Sequence, residues 1–197
     1  MACKWVELVL KSMTMKIETQ HIPSQGMTLV FEKKADAFPV LKKLIEKGEI
    51  ALPEPIVFEI NVIPERDMIK IKGSLAAAAR LACSRCLAVF ETTLRQRFTL
   101  RFSRQIPQDV HPAENAEIEL TAEQIGLVFY KGEEIDLSDA LQEQVVLALP
   151  YKPLCRADCK GLCPYCGTDL NHGDCQCRGD QPISPFAVLK GLKIGNS

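Results

Sequence analysis

The chain has 197 residues, 47% of them hydrophobic and 25% charged, enough for one ordinary core or a core with a small appendage and too apolar for a disordered protein. A formal net charge of -1 gives no global reason to expect nucleic acid or an anionic membrane as partner, so an electrostatic function has to rest on how the charge is distributed. No run reaches the roughly 18 apolar residues that cross a bilayer, which predicts a cytoplasmic protein with no membrane partner, in a reducing compartment.

The opening "MACKWVELVLKSMT" has a short apolar stretch, but Glu7 interrupts it and no small-residue cleavage site follows, so no signal peptide is expected. Met13 and Met15 offer alternative starts, which makes residues 1-14 an N-terminal extension and Cys3 incidental. Next, "DAFPVLKKLIEKG" predicts an amphipathic helix: Asp36 as N-cap, Pro39 tolerated in the first turn, Phe38, Leu41, Leu44 and Ile45 on one face, and Gly48 ending it. Between Pro55 and Phe102 the pattern shifts to period two, through "IVFEINVI", "MIKIKGSLA" and "LAVFETTLRQRFTLRF". These segments predict antiparallel strands joined by "PERD" and by the cysteine turn "CSRC". The run "AAAARLA" is read as strand, although alanine itself favours helix.

The last of these strands carries a charge signal. Alternation puts Phe98, Leu100 and Phe102 on one face and Arg95, Arg97 and Arg101 on the other. With Arg80, Arg85 and Arg104, residues 80-104 hold six arginines against the single Glu91, a net +5. Guanidinium forks match phosphate oxygens, so Arg95, Arg97, Arg101 and Arg85 are candidate contacts to an RNA or DNA backbone. A solvated face paired with an acidic neighbour explains the same residues. The neighbour would be residues 109-144, where ten acidic groups face one lysine, Lys131. Within it, "EIDLSDALQEQVVLALP" predicts a second helix capped by Asp136 or Ser138, with Leu137, Leu141 and Val145 on its core side and Pro150 ending it.

Apart from Cys3, eight cysteines fall in four pairs: Cys83-x-x-Cys86, Cys155-x3-Cys159, Cys163-x-x-Cys166 and Cys175-x-Cys177. A reducing compartment disfavours disulfides, and four thiolates close one tetrahedral zinc site, so the count allows two zinc ions. "CPYCG" has the form of a zinc knuckle, giving one site from Cys163, Cys166, Cys175 and Cys177. A second site would join Cys83 and Cys86 to Cys155 and Cys159 across about 70 residues, but exchanging partners between pairs satisfies the same count. A redox C-x-x-C normally opens a helix after a strand, whereas Cys83 and Cys86 lie between strands. His172 is an alternative ligand or simply a turn residue. His21, His111 and His172 are isolated from any nucleophile or catalytic carboxylate at a recognisable spacing, which argues against an enzyme. The cysteine-rich tail has few apolar residues to make a core, so metal would supply what burial cannot. The closing "PISPFAVLKGLK" predicts an amphipathic helix with Phe186, Leu189 and Leu192 on one side.

The expected architecture is α+β: an antiparallel sheet, open or barrel-like, with two or three short helices and a small zinc-stapled C-terminal appendage. The boundaries are an extension at 1-14, a body at 15-150, a cysteine-rich zinc-binding segment at 151-182 and a helical tail at 183-197. In this order, "CSRCLAVF", "EIDLSDALQEQVVLALPYKPLC", "CKGLCPYCGTDLN", "CQC" and "SPFAVLKGLK" resemble the YceD-like family, named for large ribosomal RNA subunit accumulation, in its cysteine-rich form. The resemblance covers nearly the whole chain from about Met15, where "MKIETQHIPSQGMTLVFE" fits the family's opening strand. It implies a bacterial, cytoplasmic, non-enzymatic ribosome-biogenesis factor supporting synthesis, processing or stability of large-subunit (23S) ribosomal RNA. The implied partner is that RNA or a pre-ribosomal particle. The rival expectation is a zinc-stabilised interaction module that binds a ribosomal protein or assembly factor and never touches RNA.

Overall fold

The computed structural model describes residues 10-11, 15-66, 68-104 and 126-177. Of the expected N-terminal extension only residues 10-11 are described, and residues 109-125 of the acidic stretch and the expected closing helix lie outside the described residues. In chain order the elements are β1 (Leu10–Lys11), β2 (Lys16–Glu18), β3 (Met27–Lys33), α1 (Pro39–Glu46), β4 (Ile50–Ala51), β5 (Ile56–Glu65), β6 (Met68–Ala82), β7 (Val89–Ser103), β8 (Leu127–Phe129), β9 (Glu134–Asp136) and α2 (Ser138–Ala148).

Period-two alternation builds the sheet. Among the described residues the order is β1-β3-β5-β6-β7-β8, with β4 pairing β6 beyond the end of β5, and β2 and β9 form a separate two-stranded ladder. The pairings among β3, β4, β5, β6 and β7 are antiparallel, while β1 and β8 run parallel to their neighbours. The barrel-like alternative is corrected here: the edge strands β1 and β8 are two and three residues long and do not pair with each other, so the sheet stays open. "AAAARLA" is strand, as expected. Its residues continue the β6 ladder against β7, and cross-strand pairing outweighs the helical preference of alanine.

One face of the sheet is the core. Ile56, Phe58, Ile60 and Val62 of β5, Ile71 and Leu75 of β6, and Phe98 and Phe102 of β7 are buried in one cluster with Phe38 just before α1, Leu41 of α1, Leu137 just before α2, and Leu141 and Val145 of α2. Each such side chain contributes about 1.5–3 kcal/mol by leaving water. Phe38 and Phe58 meet with ring centroids 6.0 Å apart in a tilted pair. Gly73 of β6 has no side chain because Phe98 lies over it: a Cβ there would come within 2.5 Å of the ring. The opposite face of β5, β6 and β7 is open to solvent.

The helix caps differ from expectation in part. Asp36 is not the N-cap of α1; it lies in a short 3-10 turn, Ala35–Ala37, and the helix begins only at Pro39. The free amide of Val40 is taken instead by Gln142 Oε1 of α2, 2.8 Å away and buried. Pro39 lacks an N–H, so this one bond satisfies the first donor of the helix. Asp136 does serve α2, accepting from Ser138 N at 2.9 Å.

Candidate metal centres and a basic face

Fifteen registered pairs, from Met68↔Ser103 to Ala82↔Val89, make β6 and β7 a hairpin with arms of about 50 Å. Its tip is the turn Cys83-Ser-Arg-Cys86. Two residues between sulfurs fold into a knuckle here: Leu87 N donates to Cys83 O at 3.0 Å, Cys83 N to Ala88 O at 2.9 Å, and Arg85 N points at Cys83 Sγ at 3.5 Å. The turn at Cys163-Pro-Tyr-Cys166 repeats this pattern. Gly167 N donates to Cys163 O at 2.9 Å, Cys163 N to Thr168 O at 2.8 Å, and Tyr165 N approaches Cys163 Sγ at 3.5 Å. The residue after the second cysteine is left-handed in both, Leu87 at φ 60° and Gly167 at φ 73°.

The sulfurs gather in two groups of four, each with its ligand atoms within 4.8 Å of one another: Cys83, Cys86, Cys155 and Cys159, and Cys163, Cys166, Cys175 and Cys177. In the first group Cys83 Sγ lies 3.8 Å from Cys159 Sγ and Cys86 Sγ lies 3.7 Å from Cys155 Sγ. Four sulfurs at about 2.3 Å from one ion define a tetrahedron with an edge of about 3.8 Å, so these separations fit a single ion at the centre. In the second group Cys175 and Cys163 sulfurs are 3.3 Å apart. Each group could hold one metal ion. The pairing left open by the cysteine count is thus resolved, and His172 belongs to neither group; its ring is 87% exposed and 3.7 Å from Asp169.

The thiols within each group are electrostatically unequal. Backbone amides, that of Cys86 foremost, pull Cys83 down to about 6, while burial pushes Cys155 up to about 12. Thr168, through its hydroxyl and amide, holds Cys166 at about 6, and the hydrogen bond with Cys166 raises Cys177 to about 12. Four like charges so close do not coexist unaided, and a divalent cation is what lets all four ionise.

The two groups are tied together. Three residues, Lys160 to Leu162, separate Cys159 of the first from Cys163 of the second. Leu162 N donates to Arg85 O at 3.1 Å, and Ser84 N to Pro153 O at 2.8 Å. Gly161, left-handed at φ 79°, sits so close to Arg85 that a Cβ would be 3.1 Å from its carbonyl oxygen. Asn171, inside the second loop, donates from Nδ2 to Cys159 Sγ at 3.4 Å, and its Oδ1 accepts from Arg156 Nη2 at 2.7 Å and Lys160 N at 2.8 Å. Metal-centre reasoning from sequence missed Asn171 and Gly161, because only the "CGTDLN" and "CKG" contexts hint at them.

The predicted arginines separate into two environments. Arg95, Arg97 and Arg101 are exposed on the solvent face of β7, opposite Ala76, Ser74 and Lys70 of β6, with Lys72 opposite Thr99. Arg95, Arg97, Arg101 and Lys72 make no ion pair among the described residues. The ends of the strip are neutralised: Lys70 pairs with Glu65 at 3.0 Å and Arg80 with Glu91 at 2.8 Å. Arg85 is not on this face. Its Nη1 donates to Cys159 O at 2.7 Å and clamps the tail to the hairpin tip. In the described part of the acidic stretch, β9 pairs with β2, not with β7.

No helix among the described residues is long and apolar enough to cross a membrane. A family model described as Large ribosomal RNA subunit accumulation protein YceD matches residues 71-193. An uncharacterized protein of Mycobacterium tuberculosis is 31% identical over 123 residues, 61% of this chain and 55% of that protein. One from Mycobacterium leprae is 28% identical over 120 residues, 59% of this chain and 49% of that protein. A chloroplastic protein of Arabidopsis thaliana named Large ribosomal RNA subunit accumulation protein YCED homolog 1 is 21% identical over 162 residues, 71% of this chain and 49% of its own. The chain spans about half the length of the curated relatives it matches. No solved structure matches the chain.

Proposed function

The chain belongs to the YceD family, and from that membership we propose that it is a non-enzymatic factor supporting the accumulation of large-subunit (23S) ribosomal RNA in the cytoplasm, by contact with that RNA or a pre-ribosomal particle. The observation that carries the RNA contact is the row of Arg95, Arg97 and Arg101 with Lys72, exposed and unneutralised on a sheet face. Phosphate oxygens are the natural partners for such a row. Each cysteine group is proposed to hold Zn²⁺. The quartets are compact enough for one ion each, and a set closed by four thiolates keeps no position open for water or substrate. The role of the metal is therefore to hold the hairpin tip and the tail together.

Exposed apolar side chains favour a second reading. Leu87 and Val89 at the tip, Leu147 at the end of α2 and Tyr151 just beyond it are 66%, 72%, 68% and 95% exposed. A ribosomal protein or assembly factor seated there would make the chain a zinc-stabilised interaction module.

Crosslinking in cells, followed by identification of RNA and protein partners, tests the two together. The first reading expects large-subunit ribosomal RNA fragments with the parent and their loss with Arg95→Ser/Arg97→Ser/Arg101→Ser. Recovery of a protein partner alone, equally from parent and variant, overturns it in favour of the second.

A further inference from the structure

Resting on the RNA reading above, we infer that the basic face takes the sugar–phosphate backbone of an RNA duplex and not unpaired bases. Residues two apart on one side of a strand are spaced by roughly 6.7 Å, close to the separation of successive phosphates along one nucleic-acid strand. Arg95, Arg97 and Arg101 follow this spacing with one gap, at Thr99. Lys72, directly opposite Thr99 on β6, restores a cation there. The result is a row about 20 Å long across two neighbouring strands, with four cations that have no anionic partner among the described residues. Hydroxyls of Thr93, Thr99 and Ser74 share this side of the two strands and offer neutral hydrogen bonds to phosphate or sugar oxygens.

What this face lacks decides between paired and unpaired RNA. Sheets that read single strands place aromatic rings outward, so that two or three bases stack on them. Here the aromatics of the central strands pack toward the opposite side: Phe31, Phe58, Phe98 and Phe102 are buried there and Phe90 is partly buried against the same core. Phe129, on the edge strand β8 opposite Ser103, is the one exposed ring beside the row among the described residues, and it can stack one base at most. The depression lined by Glu59, Asn61, Lys72, Ser74 and Arg97 is open and about 210 Å³, smaller than the roughly 300 Å³ at which ligand pockets begin, and the larger one of about 410 Å³ toward the hairpin tip, lined by Arg80, Glu91 and Thr93 among others, has no aromatic ring in its walls. With outward stacking limited to that one ring among the described residues, phosphate contact supplies the affinity. Each neutralised phosphate then releases more counterion from a duplex than from a single strand, with salt slopes of about 0.9 against 0.7.

Fluorescence anisotropy with the zinc-loaded 197-residue chain tests this, using an RNA duplex of about 20 base pairs and one of its strands alone. The duplex should bind about tenfold more tightly, with log K falling against log salt at a slope near -4. Arg95→Ser/Arg97→Ser/Arg101→Ser should reduce that slope by about 3, the corresponding triple lysine variant should keep it, and Phe129→Ala should leave duplex affinity unchanged. A single strand bound as tightly as the duplex, or Phe129→Ala as damaging as the triple serine variant, overturns the duplex inference while leaving RNA contact standing. No affinity for either RNA removes both.

Discussion

Leu87 holds a backbone conformation that suits glycine. At φ 60° it fills the position that Gly167 occupies in the equivalent knuckle, and its side chain is 66% exposed, so little burial compensates for the left-handed backbone. That conformation costs a residue with a Cβ about 1–2 kcal/mol, of which glycine's greater freedom in the unfolded chain returns about 0.5–1. Leu87→Gly should therefore raise the stability of the metal-loaded protein by roughly 0.5–1 kcal/mol in equilibrium denaturation. A loss of stability instead would mean that the leucine side chain holds a contact worth more than the strain. Gly167→Ala is the mirror experiment. Nothing lies within 4 Å of the added methyl, so any loss there reports the backbone alone.

At the scale of elements, helix termini show where local sequence suffices and where it does not. The N-cap position of α2 falls on Leu137, between the two expected residues, but the part Asp136 plays was legible because the amide it serves, that of Ser138, is only two residues away. Hydrogen bonds with Ser138, its side chain foremost and then its amide, hold the Asp136 carboxyl below the ordinary pKa of 3.8, against a smaller opposing effect of burial. A depressed carboxyl contributes stability above its unfolded value and loses it as pH falls through the folded one. Asp136→Ala should thus cost about 1 kcal/mol at neutral pH, with the gap to the parent constant down to about pH 4 and closing below it. A gap unchanged at pH 2 would show that the charge plays no part. The cap of α1 was illegible for the opposite reason: Gln142, which serves Val40, is 102 residues away. The same contrast runs through the rest of the molecule. Alternation made β5, β6, β7 and the buried side of α2 readable, because periodicity is local. Three features were not local: which cysteine pair meets which, the spending of Arg85 on Cys159, and the open edges of the sheet. The first two depend on where the hairpin tip lies relative to a tail about 70 residues later, and the third on which strands the short edges β1 and β8 pair with.

For the whole molecule, the two cysteine groups are better regarded as one coupled unit than as two independent staples. The first can close only when the segment carrying Cys155 and Cys159 returns to the hairpin tip, which fixes Pro153, Gly161 and Leu162 against Ser84 and Arg85. The second then forms from a chain already anchored at Cys159, four residues upstream of Cys163. Asn171 completes the link, because its amide reaches Cys159 only when the second loop is folded. Metal at either group therefore prepays part of the ordering entropy of the other, and thermodynamic linkage makes the gain reciprocal. Parent protein should bind two zinc ions per chain. Cys83→Ser/Cys86→Ser and Cys163→Ser/Cys166→Ser should each leave one ion, bound about tenfold more weakly than in the parent by chelator competition. Asn171→Ala should retain both ions and lose most of that coupling, because a hydrogen bond to a ligating sulfur is worth about 10–100-fold in affinity. Single-group variants that hold their remaining ion as tightly as the parent would show the two centres to be independent, however close they lie.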